Sequence, residues 1–401
     1  MVIVIGTGAG GALLARELAK DGKKVTILEK GPYIDSKEAF NYYDAYSDDV
    51  DLLTTTCIGG ATIVSMSNMV RALDGELLDY GVDLTDAYEY VEELVGVHQL
   101  DDSHIGKGTQ LFLDAGHELG LETMKMPKAI REDDCIQCGM CAFGCPVNAK
   151  WSGKDFADEA VEYGAELICD AEVIEILSED GKACGVRYVK DQKEEIIESD
   201  TVVLSAGAIG STMILRNSGI DEVGEEIFFD PFVTVGGYLK DINFNTEVQM
   251  AGLIIGKNFV LSPHFSSFIG QNIGDGVNDG DILSIMVKTP DDAKGYVYSD
   301  GNVIKTNTIQ DIRYLAEGVA TAGAVLEKAG VDPKTIGSTV YRGAHPGGTA
   351  PIGKIVDYNL ETEISNLYVC DASVLPISPG KPPILTILAL SKRLADYIKS
   401  K

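Results

Sequence analysis

Short apolar runs that stop at glycine, each followed by a helix-period segment, set the pattern of this chain. "VIVI" at residues 2–5 ends at Gly6, a helical alternation follows over "AGGALLARELAK", and "KVTILE" closes the unit at residues 24–29. Such a succession predicts parallel strands joined by a crossover helix. "DTVVLSAGAIGSTMILRNSGI" (200–220) repeats it, and residues 345–398 finish in an amphipathic helix. Residues 74–130 read as largely helical and acidic, a cap between nucleotide motifs. The glycine-rich, alternating stretch 231–305 predicts antiparallel strands with tight turns, one wall of a pocket. "TIQDIRYLAEGVATAGAVLEKAG" (308–330) is an amphipathic helix placed for packing. No 20–50-residue repeat or low-complexity tract interrupts the pattern.

Length and charge narrow the partners. At 401 residues the chain carries two domains, or one large domain with an insertion. A formal charge of −29, spread along the chain, argues against nucleic acid and anionic membrane surfaces. No stretch is long and apolar enough to span a bilayer. Met1 runs straight into the first strand with no room for a signal peptide, so the expected location is cytoplasmic. In that reducing compartment, eight cysteines point to metal binding or catalysis before disulfides.

Gly6, Gly8 and Gly11 stand in GxGxxG spacing between the first strand and its helix. The first permits the turn, the second lets backbone approach a pyrophosphate, and the third lets helix pack on strand. Glu29, at the end of the second strand, is placed to accept a hydrogen bond from a ribose hydroxyl. The unit predicts a dinucleotide, FAD or NAD, and its acid disfavours the 2′-phosphate of NADP. Three later stretches bring backbone toward a ligand at strand ends: Gly59-Gly60 in "CIGGATIVSMSNMVRA", Ala206-Gly207-Ala208, and Asp371-Ala372 in "NLYVCDAS".

Taken in order, the "AGAIGS…SGI" stretch and the "HPGGT…G…VD…NLYVCDASVLP" block resemble the glucose–methanol–choline (GMC) oxidoreductases, FAD flavoproteins that include glucose oxidase and cholesterol oxidase. The resemblance implies an α/β fold: a Rossmann-like FAD-binding domain with a smaller α+β substrate domain on a mainly antiparallel sheet. The expected division is 1–223 with 341–401 for the FAD domain and 224–340 for the substrate domain. It also implies that Gly6, Gly8, Gly11 and Glu29 hold the adenosine diphosphate and that Gly59 and Gly60 lie along the pyrophosphate or flavin. Val173 falls by the adenine, Ala206 and Gly207 on the dinucleotide, and Asp371-Ala372 against the ribityl and pyrophosphate region. Family members commonly exceed 500 residues, so the substrate domain here is reduced.

In the family a histidine near the flavin takes the hydroxyl proton while hydride leaves the carbinol carbon. His345 matches that position, and imidazole suits the role near neutral pH. The family's second polar residue, His or Asn, is replaced by Pro382 in "GKPPILTILAL". Lys381, Asn243 and Asn245 are weak candidates to stand in for it. His264 is a candidate pocket residue; His98, His104 and His117 read as surface.

Cys135, Cys138, Cys141 and Cys145, followed by Pro146, repeat the C-x₂-C-x₂-C-x₃-C-P run of bacterial ferredoxins. An iron–sulfur cluster is the leading expectation, [4Fe-4S] before [3Fe-4S], with zinc or no metal as alternatives. Cys57 is a spare that could replace the fourth ligand; Cys169, Cys184 and Cys370 read as core. "GCPVNAKWS", with "AVEYGAELICDAEVIEI" after it, is similar to the segment of bacterial FAD-dependent sugar dehydrogenases that carry a cluster beside the flavin. A cluster there implies an outlet for single electrons to a redox partner protein or other acceptor than oxygen. The expected activity is oxidation of a small hydroxyl-bearing molecule. Two alternatives stay open: a reductase acting on a carbonyl or alkene, and an electron-transfer subunit with no substrate of its own. Homo- and hetero-oligomers are both compatible with the sequence.

Overall fold

The computed structural model describes residues 1–44, 52–274 and 276–401. Val2–Ile5 lies buried at the centre of a five-stranded sheet, paired in parallel with Val25–Leu28 on one side and Val202–Leu204 on the other. Leu367–Val369 and Glu166–Ile168 close its two edges, also in parallel. Strands covered on both faces need apolar residues at every position, and "VIVI", "VTIL", "VVL" and "LYV" supply them. Helix Ala9–Lys20 packs on helices Gly153–Glu162 and Ile384–Ser400.

A second sheet runs in the order Gly337–Ser338, Pro231–Tyr238, Ile282–Lys288, Val260–Pro263, Gly252–Ile255, Glu122–Lys125, antiparallel throughout. Along Ile282–Lys288, Leu283, Ile285 and Val287 enter a core with Phe112, Ala322, Val325 and Leu326 from helices Lys107–Glu118 and Ile309–Lys328. Side chains alternate across a strand, so Ser284, Met286 and Lys288 share the opposite face. Met286 there packs with Phe232 and Met250.

The domain boundary expected at residue 224 does not hold for this sheet. Its edge strand Glu122–Lys125 and the helix Lys107–Glu118 come from the stretch read as a cap. Four residues with two charges carry too weak a period to announce a strand; pairing with Gly252–Ile255 makes them one. Glu247 fastens the helix, accepting from Gly108 N at 2.6 Å and Thr109 N at 3.0 Å at its positive end. A third, three-stranded sheet (Glu172–Glu179, Lys182–Lys190, Lys193–Glu198) flanks the parallel one. Among the described residues, no helix is long and apolar enough to cross a membrane.

Candidate active site and cysteine loop

The first turn is built as the glycine pattern requires. Gly6 has φ +94°, and a Cβ there would meet the Ser205 carbonyl oxygen at 2.3 Å. A Cβ on Gly8 would meet nothing within 4 Å, which leaves the backbone open to a ligand. Gly8 caps the helix without any side-chain hydrogen bond, so its first N–H groups face outward. Gly60 comes down beside Gly8, its Cβ position 3.3 Å from Gly8 Cα, and brings the second glycine pair over the first turn.

Thr7 ties these parts together, and no sequence signal marked it. Its hydroxyl accepts from Gly59 N at 2.8 Å and donates to Glu29 Oε2 at 2.5 Å. Glu29 also accepts from Thr7 N and Gly31 N. Burial pushes its carboxyl up against these hydrogen bonds, which favour the charged form. A carboxylate offers about four lone-pair sites, so a ribose hydroxyl can still be accepted. Val173 is buried at the start of the flanking sheet, two residues past Ala171, whose N–H donates to the Glu29 carbonyl. These features fit an adenine dinucleotide.

Asp371 has a structural task. Its carboxylate accepts from Gly207 N (2.9 Å), Ser211 Oγ (2.6 Å), Ser373 N and Ser373 Oγ. It locks the Ala206-Gly207 turn to the strand Leu367–Val369. Any ligand contact at Asp371-Ala372 is therefore left mainly to the backbone.

His345 sits in a buried charged centre. Its Nδ1 lies 3.0 Å from Asp230 Oδ2, and its side chain keeps 22% of its surface exposed while that of Asp230 keeps none. Asp230 Oδ1 accepts from Ser378 Oγ at 2.5 Å and Gly380 N at 2.8 Å. Lys288 Nζ lies 3.1 and 3.2 Å from the two ring nitrogens, from the open face of the second sheet. Burial pushes Asp230 up and Lys288 down, and each charge restrains the shift of the other. Burial, then Lys288, holds His345 well below the usual imidazole range, so the ring is neutral in the resting protein. Sequence reasoning missed Asp230 and Lys288. A lysine closing a buried strand ("SIMVKTP") was the available signal.

The weak stand-ins fall elsewhere. Asn243 packs on the turn 278–281 and Asn245 abuts the cysteine loop at Gly139. Lys381 and Pro382 line a cavity of about 430 Å³ with Met69, Val70, Leu253 and Val260. Val260 is the cross-strand neighbour of Lys288, which sets the cavity on the same face of the sheet. His345 is not among its lining residues. His264 is near this face too, with Nδ1 3.3 Å from Thr234 Oγ1; burial pushes its pKa down to about 4.

Cys135, Cys138, Cys141 and Cys145 line a single hollow with Pro146, Val147 and Lys150. Positive φ at Gln137, Gly139, Gly144 and Asn148 bends the loop tightly enough to bring them there. The Cys145 Sγ accepts from Ala149 N at 3.2 Å, and all four thiols are unpaired. Among the described residues, no group of three or more His, Cys, Asp or Glu is gathered as a single metal ion requires. A tetrahedral zinc site draws its sulfurs to about 2.3 Å from one atom, whereas a cluster, being wider, keeps its thiolates farther apart. Four thiols around one hollow, with an N–H directed at sulfur, fit the wider group. Cys57 is no ligand here, being fully buried in the core of the parallel-sheet domain. His98 and His104, expected at the surface, both hold Glu132 at the loop's entrance, and His104 is only 14% exposed.

Comparison with known proteins gives this architecture its class. The GMC oxidoreductase family models match residues 45–264 and 290–391, and a Rossmann-like NAD(P)-binding model matches residues 4–38. The chain belongs to the GMC oxidoreductase family: it is an FAD-dependent oxidoreductase acting on CH–OH donors. An uncharacterized protein of Methanocaldococcus jannaschii is 33% identical over 98% of both chains. A long-chain-alcohol oxidase of Arabidopsis thaliana is 25% identical, covering all of this chain and 68% of the relative. In fold the chain is similar to pyridoxine 4-oxidase from Mesorbium loti (TM-score 0.79, 15% identity, 100% and 99% coverage). It is also similar to formate oxidase from Aspergillus oryzae (TM-score 0.77, 14% identity, 100% and 98% coverage).

Proposed function

We propose that this chain is a dehydrogenase holding both FAD and an iron–sulfur cluster, and that its electrons leave singly for an acceptor other than oxygen. The observation that carries the cluster half is the hollow ringed by Cys135, Cys138, Cys141 and Cys145. FAD supplies the hydride acceptor when bound, and a cluster passes electrons one at a time. Asp230 accepts Nδ1–H of His345 and holds the tautomer with its lone pair on Nε2, where Lys288 Nζ stands 3.2 Å away; that lone pair takes the hydroxyl proton once Lys288 turns its N–H to the substrate oxygen. Lys288, within reach of both His345 ring nitrogens, would supply the N–H that Pro382 cannot, to the oxygen on which negative charge develops. The balance would be one alcohol to one carbonyl, with hydride to FAD and a proton to His345; two equivalents of a one-electron acceptor take the two electrons, and the proton from the reduced flavin and the one on His345 leave to solvent.

Mostly apolar cavity walls and relatives named for long-chain alcohols support a hydroxyl-bearing substrate with an apolar body. The relay reading, without substrate chemistry, draws on Pro382 but leaves the His345–Asp230–Lys288 centre without a purpose.

The test is metal and flavin analysis of anaerobically purified protein, with EPR before and after dithionite. Roughly four irons and four sulfides per FAD are expected, with a cluster signal on reduction. Alcohol-driven reduction of ferricenium should then exceed oxygen uptake. Zinc or no metal, with peroxide formed from oxygen, would overturn the reading in favour of an oxidase.

A further inference from the structure

Residues 127–131 run between two partners. On one side Met69 N donates to the Pro127 carbonyl and Ala129 N to the Ser67 carbonyl; on the other Trp151 N donates to Ala129 and Arg131 N to Ala149. This small ladder joins the segment that follows Gly59-Gly60 to the base of the cysteine loop. It carries two lysines, Lys128 and Lys150, at 0% and 5% exposure.

Their partners are unusual for buried ammonium groups. Lys128 Nζ donates to the Met66 carbonyl (2.9 Å) and Asn68 Oδ1 (2.7 Å). Lys150 Nζ donates to the carbonyls of Ile63 (2.7 Å) and Thr62 (3.4 Å). Neither makes an ion pair among the described residues. Asp155, the carboxylate nearest in effect to Lys150, is engaged by Ser152 N at 2.7 Å. A buried charge without a counter-charge costs several kcal/mol. Beyond Asp155, the groups of opposite potential charge in reach are the cysteines: Lys150 lines their hollow, where Cys141 and Cys145 act on it, and Cys141 and Cys135 act on Lys128 against the like charge of Lys150.

We propose that Lys128 and Lys150 are the built-in counter-charges of an anionic four-thiolate cluster and that they set its reduction potential. The inference rests on the cluster reading above. Adding an electron makes the cluster more negative and changes no bond; two fixed positive charges beside it favour that step, so the cluster can draw electrons from the flavin side. Lys150, which lines the hollow itself, contributes more than Lys128.

The test is an EPR-monitored redox titration of the holoenzyme, wild type against Lys150→Met, Lys128→Met and the corresponding Gln variants. Each Met variant is expected to retain iron and shift to lower potential. For Lys150→Met the one-electron reduction equilibrium should weaken about tenfold, or ~59 mV; for Lys128→Met the shift should be smaller. Gln keeps a donor for the carbonyls but sheds the charge, so it should shift like Met and serves if Met variants do not accumulate. Unchanged potentials in iron-loaded variants, or a wild-type potential in Lys150→Gln, would overturn the inference. Absence of iron from the wild type would instead overturn the cluster reading.

Discussion

Lys288 and Lys150 are the same residue in comparably dry settings, and burial pulls both toward neutrality. Their surroundings differ in one respect. Lys288 shares its centre with a buried carboxylate, Asp230, whose charge offsets its own. Lys150 has carbonyl oxygens and thiols around it and makes no ion pair among the described residues. On the functions proposed above, the first centre is complete in the bare protein and the second awaits a guest; the difference would separate a lysine that supports proton transfer from one that balances an electron.

The sharpest way to break this comparison is to disable each centre in turn. His345→Ala should slow alcohol-driven flavin reduction by about 10²–10⁴-fold, the usual worth of a positioned base. Stopped-flow absorbance under anaerobic conditions reads this step. Cys141→Ser should leave that step largely intact and abolish onward transfer to ferricenium. If His345→Ala retained full flavin reduction, the relay reading would gain at the expense of the enzyme.

The next effect concerns stability without metal. Asp230→Asn strands Lys288 and should cost about 3–5 kcal/mol. Combining it with Lys288→Met should recover most of the loss. Lys150→Met in the metal-free protein should be neutral or stabilising, because it removes a charge that has no partner. Urea midpoints of the four proteins decide the matter, and equal losses for Asp230→Asn and Lys150→Met would erase the distinction drawn here.

The smallest effect is a pH dependence at the edge of the first centre. Burial lowers His264 from 6.5 to about 4, so the folded chain resists a proton that the unfolded chain accepts. Stability should therefore fall as pH drops through that window and recover as it rises. His264→Gln should flatten this part of the urea-midpoint profile. An unchanged slope would mean that the imidazole is solvated.

Much of the nucleotide end was legible because its signals are local. Gly6 and Gly8 act through their own backbone, and Glu29 follows its strand by one residue, so spacing alone places them. The cysteine run is local for the same reason. Thr7, Asp230 and Lys288 were not legible, because each takes its meaning from residues far along the chain. Thr7 bridges Glu29 and Gly59, while Asp230 joins His345 to Ser378 across more than a hundred positions. Asp371 shows the converse: its place was evident, yet its carboxylate is used up by Gly207, Ser211 and Ser373.

By itself the sequence determined the strand–glycine–helix unit, the acid that follows it, His345 and the four thiols, since apolar period and fixed spacing act over a few residues. Only the tertiary structure decided that the strand Glu122–Lys125 joins the second sheet, that Lys288 and Asp230 meet His345, and that two buried lysines without an ion pair among the described residues lie at the base of the cysteine loop. Burial and charge compensation are properties of what packs together, and that is settled when the chain closes.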